Sequence, residues 1–363
     1  MGIMAERNNL GNFTLKTGLP FPDEVSSIVF NEKLFMTSYL KTLAGKGIII
    51  EEVKKAYLKP EYRDDIDEVF FANKMNSEIL KIENLTGLFV KVPTGLVLDS
   101  PLYYCFILGS RGFYQKVLNV IKIEDNARVT LAKGCAAIVD EGVHSALTLI
   151  GIGEKSDVTS IMIHNWRTNV KVGAKTKVDV GIGSVFREYY VKLTPVNTIS
   201  LTSEIDAQAY SRVEVYSSTV GHKNSRINHN TVVRLKGEAS SSVVNVKSVA
   251  HDGAFVKHNI ILEALADSTK GHVECSGLLL GNAIFETIPA LKSTSMNSEL
   301  THEASLGRIK SDEIFYLLTR GLNEEEAVRL VVIGFLSQLY SGLPKQLREY
   351  LVSITRMFVS KTL

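Results

Sequence analysis

Side chains that bind soft and borderline metal ions come together in the last quarter of this chain. Cys275 sits in an apolar, strand-like run, HVECSGLLLG over 272–281, and a compact polar cluster follows at Thr301-His302-Glu303 within THEASLGRI. A thiolate offers iron a soft ligand, an imidazole a borderline one and a carboxylate a hard one, and together they suit iron and sulfide. A second cysteine, Cys135, lies in AKGCAAIVDEGVHSALTLI, where Lys133 would favour the thiolate if it pointed at the sulfur. The third, Cys105, is embedded in LYYCFIL and reads as core. The plain alternatives are that Cys275 and Cys135 are small buried hydrophobes and that His302 and Glu303 merely flank a helix.

The cysteine count narrows the chemistry. Three thiols without a CxxC pair argue against a disulfide framework and a self-contained zinc ribbon, and they cannot supply four thiolates to a cluster. Any cluster here needs mixed ligands or a second subunit. All eight histidines lie between His144 and His302. His164 and Trp166, in IHNW, read as structural packing; His222, His229, His251 and His258 read as surface turn residues, with a polar route through the core as the alternative. There is no GxxxxGK[ST], so the chain is not itself a P-loop ATPase, and no HExxH, GxSxG or strand-to-helix GxGxxG is present. Lys+Arg 41 against Asp+Glu 39 leaves a net charge of +2, without the clustered basic excess of a nucleic-acid binder. MGIMAERNNLG lacks the basic start and apolar run of a signal peptide, Glu6 stands where myristoylation wants Ser or Thr, and no apolar stretch is long enough to span a membrane. The expectation is a soluble, cytoplasmic protein with neither nucleic acid nor membrane as a partner.

The elements that must position these residues fall into three stretches. Residues 1–84 are expected to form a helical N-terminal unit: EVSSIVFNEKLFMTSYLKTLAGKG has apolar residues at helical spacing with Gly45 and Gly47 as a stop, and helical segments follow on either side of Pro60. Over 85–305 the period changes to short β-rich runs such as KVLNVIKI, ARVTLAKG, SALTLIGIG, SVVNVKSVA and FVKHNIILEAL. Small polar turns separate them, among them Glu124-Asp125-Asn126, Gly237-Glu238, Asp252-Gly253 and Asp267-Ser268. Between Gly237 and Lys270 these turns recur about every fifteen residues, which suits stacked rungs better than hairpins; an ordinary β-sandwich is the rival. Residues 306–363 return to helix. Ser311 can cap the first, Asn323 and Glu326 make a capping box for the second, and Pro344 ends it or opens a third. In the second, Ala327, Leu330, Val331, Gly334 and Phe335 fall on one face.

In order and spacing these features resemble the SufB/SufD family of iron–sulfur cluster assembly proteins over about residues 85–345, most closely from 272 to 336. Cys275-Ser276-Gly277-Leu278-Leu279-Leu280-Gly281 is similar to the family's CxxLLxG-like segment, with Ser276 where an acidic residue is usual. Thr301-His302-Glu303-Ala304 resembles the Glu-His-Glu-Ala of SufB but lacks its first glutamate, a simplification toward SufD. Lys133-Gly134-Cys135-Ala136-Ala137 and Val143-His144-Ser145-Ala146 resemble the SufB segment around its sulfur-receiving cysteine. Ile314-Phe315-Tyr316-Leu317 and Arg320-Gly321 repeat the family's signature in the helices that dock an ABC-type ATPase, SufC.

The resemblance implies a right-handed parallel β-helix-like core with helical ends. It implies a non-enzymatic scaffold closer to SufB, with cluster assembly and iron binding at Cys275, His302 and Glu303 and sulfur acceptance at Cys135. The ATPase partner would dock on Ile314, Phe315, Tyr316 and Arg320. A transient iron–sulfur cluster, a sulfur donor protein, and a homodimer or SufB/SufD-type heterodimer complete the expectation; participation of a flavin stays open. The alternatives are a SufD-like subunit without its own cluster and, from another class, a β-helix carbohydrate lyase or hydrolase, which would need paired carboxylates in a groove.

Overall fold

The computed structural model describes residues 25–362. Its centre is a parallel β-solenoid of about eight turns, with helices toward both ends. Twenty strands alternate between two sheets. The first sheet runs, in spatial order, β2 (Lys33–Met36), β1 (Val25–Phe30), β6 (Leu102–Leu108), β8 (Arg128–Ala137), β10 (Asp157–Asn165), β12 (Val185–Lys192), β14 (Arg212–Gly221), β16 (Ser241–His251), β18 (Lys270–Leu280) and β20 (Glu299–Gly307). The second runs β19 (Ile284–Ser293), β17 (Phe255–Ala264), β15 (Arg226–Leu235), β13 (Thr198–Ala207), β11 (Asn169–Val180), β9 (Glu141–Ile152), β7 (Tyr114–Ile123), β5 (Leu88–Val92) and β3 (Ile49–Glu52), with the two-residue β4 (Leu85–Thr86) beside β7. Pairing is parallel throughout except for β1 with β2 and β3 with β5. The sequence-based expectation of a rung-like β core with helical flanks therefore holds, and the sandwich does not.

The turns set the repeat. Arg128, Asp157, Val185, Arg212, Ser241, Lys270 and Glu299 stand side by side, so one rung takes 27 to 29 residues and each strand with its turn about half of that. At one corner of successive rungs, Asn126, Lys155, Gly183, Tyr210, Ala239 and Ser268 all adopt left-handed backbone angles. Each sends its N–H to a carbonyl one rung on, as in Lys155 to Ile182 at 2.9 Å and Tyr210 to Glu238 at 2.8 Å. The ladder thus continues round the corner and leaves few backbone groups unpaired there. Only one of the six is glycine; the stacking imposes the conformation on the others against their steric preference.

In a parallel sheet, in-register residues point the same way and alternate residues face opposite sides. Inward positions hold Val129, Val158, Phe186 and Val213 in the first sheet and Ile150, Val178, Ile205 and Val233 in the second, all buried between the sheets. The outward face of the first sheet is apolar too, with Ile161, Ile163, Tyr189, Val191 and Val249. The C-terminal helices α5 (Glu324–Ser337) and α6 (Lys345–Thr362) cover it through Val332, Leu336, Leu351 and Ile354. Cys105 lies in this second cluster, fully buried, as its apolar run suggests. The Ser218 and Tyr340 hydroxyls at 2.7 Å, and Tyr340 and Thr355 at 3.2 Å, fix the helices to β14.

Some local expectations need correction. The stretch 25–36 forms two strands rather than helix, because β1 finds β6 as a parallel neighbour and its β-branched residues pack there; among the described residues before β3, α1 (Tyr39–Ala44) is the helical stretch. The helices α2 (Val53–Leu58) and α3 (Pro60–Ala72) do form and lie on the outer face of the second sheet. The first 24 residues of the expected helical unit lie outside the described residues. Ser311 is the first residue of α4 (Ser311–Thr319) rather than its cap. The capping box of Asn323 and Glu326 is present, but the buried face of α5 is Ala327, Val332 and Leu336, while Leu330 and Gly334 face solvent.

Ala239→Gly removes a side chain from one left-handed corner. The steric relief of about 1–2 kcal/mol outweighs the entropy glycine adds to the unfolded chain, so the substitution raises stability by about 0.5 kcal/mol, measurable as a higher urea midpoint at unchanged slope.

Candidate functional site

Cys275 lies on β18 facing inward and is fully buried. In register it has Val246 of β16 on one side and Ala304 of β20 on the other. Burial pushes its thiol up; the Thr287 hydroxyl beside it acts the other way. β20 is the last strand of its sheet and nearly all of it is exposed. His302 aligns with Val273 and so shares the inward side with Cys275, two positions along the strand. Glu303 aligns with Glu274 and takes the opposite, outward side. There Glu274 accepts from the Asn245 amide at 2.6 Å, and His272 and Thr301 meet at 2.8 Å. The chain thus brings Cys275 and His302 to one face of the open end and Glu303 to the other. Among the described residues no three His, Cys, Asp or Glu side chains stand together as a metal site.

Cys135 lies five strand positions away in the same sheet, roughly 24 Å at ordinary strand spacing. It too faces inward and is buried, its sulfur 3.8 Å from the Met162 sulfur. Burial raises its thiol well above the usual range, neighbouring Cys105 adds to this, and Lys133 opposes it. Lys133 therefore does point into the core.

Between the two cysteines runs a file of polar and aromatic side chains. His164, in register with Cys135, bonds through Nδ1 to the Tyr190 hydroxyl at 2.9 Å. The Tyr190 ring stands 5.4 Å from that of His229, His229 stands 5.4 Å from His258, and His258 stands 5.7 Å from Phe285. Ser248 pairs with His258 Nε2 at 2.9 Å, and Thr287, in register with His258, reaches Cys275. His229 and His258 are thus interior residues and not turn residues. His222 is buried as well, its Nε2 on the Leu193 carbonyl at 2.7 Å, while His251 ends its strand beside Asp252. Trp166 packs between His144 and His164, at 4.9 and 5.3 Å.

Three buried charged residues lie on this axis, Lys133 from the Cys135 motif and, outside any motif, Glu188 and Lys192. Lys192 donates to the Val220 carbonyl at 2.7 Å and is pushed down to about 7 by burial. Glu188 accepts from Ser203 at 3.2 Å and is raised by burial. Their sequence signal is positional: each falls on an inward position of its strand, and His229 and His258 are separated by one rung, which makes them neighbours.

At the other end of the chain, α4 buries no residue of its own. Phe315 is 67 % and Tyr316 56 % exposed, Ile314 is half-buried, and Arg320 lies over the Tyr316 ring at 5.1 Å. No helix among the described residues is long and apolar enough to cross a membrane.

Comparison with known proteins places this architecture. The family described as SUF system FeS cluster assembly, SufBD core domain, matches residues 106–335. An iron-sulfur cluster assembly SufBD family protein of Methanothermobacter thermautotrophicus is 32% identical over 268 residues, covering 72% of this chain; the chain thus spans only 65% of that relative's length. Proteins of the same description from Pyrococcus horikoshii and Archaeoglobus fulgidus are 29% and 26% identical, over 92% and 84% of this chain and 74% and 83% of their own lengths.

The interior histidines give the protein an acid limit. Burial holds His144 and His229 down to about 4, against the ordinary value of 6.5. Their folded-state values lie below the unfolded ones, so only the unfolded chain takes up protons between pH 6.5 and 4. Stability is complete above about pH 6.5 and falls as the pH drops toward 4, by up to about 1.4 kcal/mol per pH unit per histidine. Urea titrations at pH 7, 6, 5 and 4.5 should show this decline, with a shallower slope in His229→Leu.

Proposed function

The chain belongs to the SufBD family of iron–sulfur cluster assembly proteins, and on that premise we propose that it is a scaffold subunit of a SUF-type complex and not an enzyme. Sulfur from a donor protein is accepted at Cys135 and moves along the interior file toward Cys275. There a reductant supplied by the assembled complex delivers the two electrons that turn the persulfide sulfur into sulfide, and sulfide meets iron with His302 and Glu303 as borderline and hard ligands; the cluster is cargo, built and passed on. The observation that carries this reading is the position of Cys275 directly beneath the open edge strand, with only the Ala304 methyl stacked on it. One chain offers too few ligands, so a second subunit set against β20, as a homodimer or a SufB/SufD-type heterodimer, supplies the rest. The exposed aromatic face of α4 docks an ABC-type ATPase of the SufC kind, whose cycle opens the buried thiol to iron. The full burial of Cys275 also favours a second reading, a SufD-like subunit that builds no cluster.

Anaerobic reconstitution separates the two. The scaffold reading expects iron and acid-labile sulfide on the parent chain, none on Cys275→Ala, and less on His302→Ala and Glu303→Ala. Equal content in parent and Cys275→Ala removes Cys275 from the site, and none in either with the ATPase and partner subunit present assigns the SufD-like role. For the docking face, Phe315→Ala with Tyr316→Ala should weaken co-purification with the ATPase by roughly tenfold or more and leave the thermal midpoint unchanged, since neither residue is buried.

A further inference from the structure

Beside Cys135 the two sheets stand apart around a cavity of about 40 Å³. That is room for one or two small molecules. Lys133 lines it and is 1 % exposed. Among the described residues no acceptor stands within hydrogen-bond distance of its amine, and Glu188, two strands along on the same face of the sheet, acts on it without a salt-bridge contact. The rest of the lining combines the Met162 and Cys135 sulfurs and the uncharged imidazoles of His144 and His164 with several hydroxyls and with Lys175, which is paired with Glu204. A buried cation without a close counter-ion is costly, and a polarizable lining suits sulfur better than a hard oxygen anion.

We propose that this cavity seats a monoanionic sulfur held by the Lys133 ammonium, either the outer sulfur of a Cys135 persulfide or free hydrosulfide. The inference rests on the reading of Cys135 as the sulfur-accepting residue and adds what keeps the sulfur there. With a donor of the class R–S–SH, the Cys135 sulfur attacks the outer sulfur, a new S–S bond forms, the donor's S–S bond breaks, and the Cys135 proton leaves on R–SH. With the proton of the transferred sulfur on the Lys133 nitrogen, a persulfide anion lies against the ammonium. Hydrogen sulfide enters by the same proton transfer alone. Neither route consumes an oxidant or a reductant. Burial lowers the proton affinity of Lys133 in the empty cavity, and an anion seated beside it restores that affinity.

The test uses the full chain under anaerobic conditions, exposed separately to cysteine persulfide and to sodium hydrosulfide and then desalted. Retained sulfur is read by mass spectrometry at Cys135 and as acid-labile sulfide. The parent should retain about tenfold more than Lys133→Met, the loss expected for one charge-assisted contact. Glu188→Gln, which keeps the cavity and removes the opposing carboxylate, should retain at least as much as the parent. Bromide soaked into crystals should appear at Lys133 in the parent. Retention in Cys135→Ala identifies free hydrosulfide as the ligand; its loss there identifies the persulfide. Equal retention in parent and Lys133→Met, loss in Glu188→Gln, or neither sulfur nor bromide in the parent overturns the inference. Cluster formation at Cys275 with iron and sulfide supplied directly judges the scaffold reading independently.

Discussion

Everything in this molecule answers to the in-register stacking of one rung on the next. Each side chain lies directly between the residues one rung above and below it, so the sequence is read in columns as well as along the chain. One inward column of the second sheet runs Val117, Ala146, Ala174, Leu201, His229, His258, Thr287. Its two adjacent alanines leave the space that faces Lys133, and its two adjacent histidines make the stacked pair deeper in. The cavity and the polar file are consequences of which residue sizes and types share a column. The same rule separates His302 from Glu303: neighbours in sequence, they belong to columns on opposite sides of the sheet.

A solenoid interior is ordinarily apolar, and this one is so along its corners and walls. The polar file is the exception, and it is tolerated because many of its members are paired: His144 with Gln115 at 2.7 Å, His164 with Tyr190, His258 with Ser248, Lys192 with a carbonyl. Buried polar groups satisfied in this way cost little, whereas unpaired ones cost a kilocalorie or more. The indole nitrogen of Trp166 and His222 Nδ1 have no such partner. A core chosen for stability alone would have filled these positions with valine and isoleucine.

Much of this was legible in the residues. The polar turns at Asn126, Lys155 and Ser268 announce the rung length, and the alternation in SVVNVKSVA announces inward and outward faces. What the pattern could not give is which apolar face meets which surface. VSSIVF has spacing compatible with helix or strand, and the free edge of β6 decides it. In α5 both flanks of the helix are apolar, and contact with the outward face of the first sheet buries Val332 and Leu336 and leaves Leu330 exposed. His229 and His258 look like turn residues until the one-rung spacing is applied, after which their burial follows. The separation of Glu303 from Cys275 was equally available from strand parity, given the register, but motif order conceals it.

The two ends of the solenoid differ in a way that limits growth. At the N-terminal end the chain reverses, so β2 and β3 run antiparallel to their neighbours with α1 beside them, and the regular parallel stack stops. At the other end β20 leaves one side of its backbone unpaired, with Leu306 and, across the sheets, Ile288 exposed. Identical units with two sticky ends would polymerise into filaments, as edge strands tend to do. A unit whose two ends differ in this way does not stack on copies of itself as one continuous parallel ladder. The antiparallel pairings near the start of the described fold thus break the parallel repeat at that end, roughly as a capping repeat does in other solenoids.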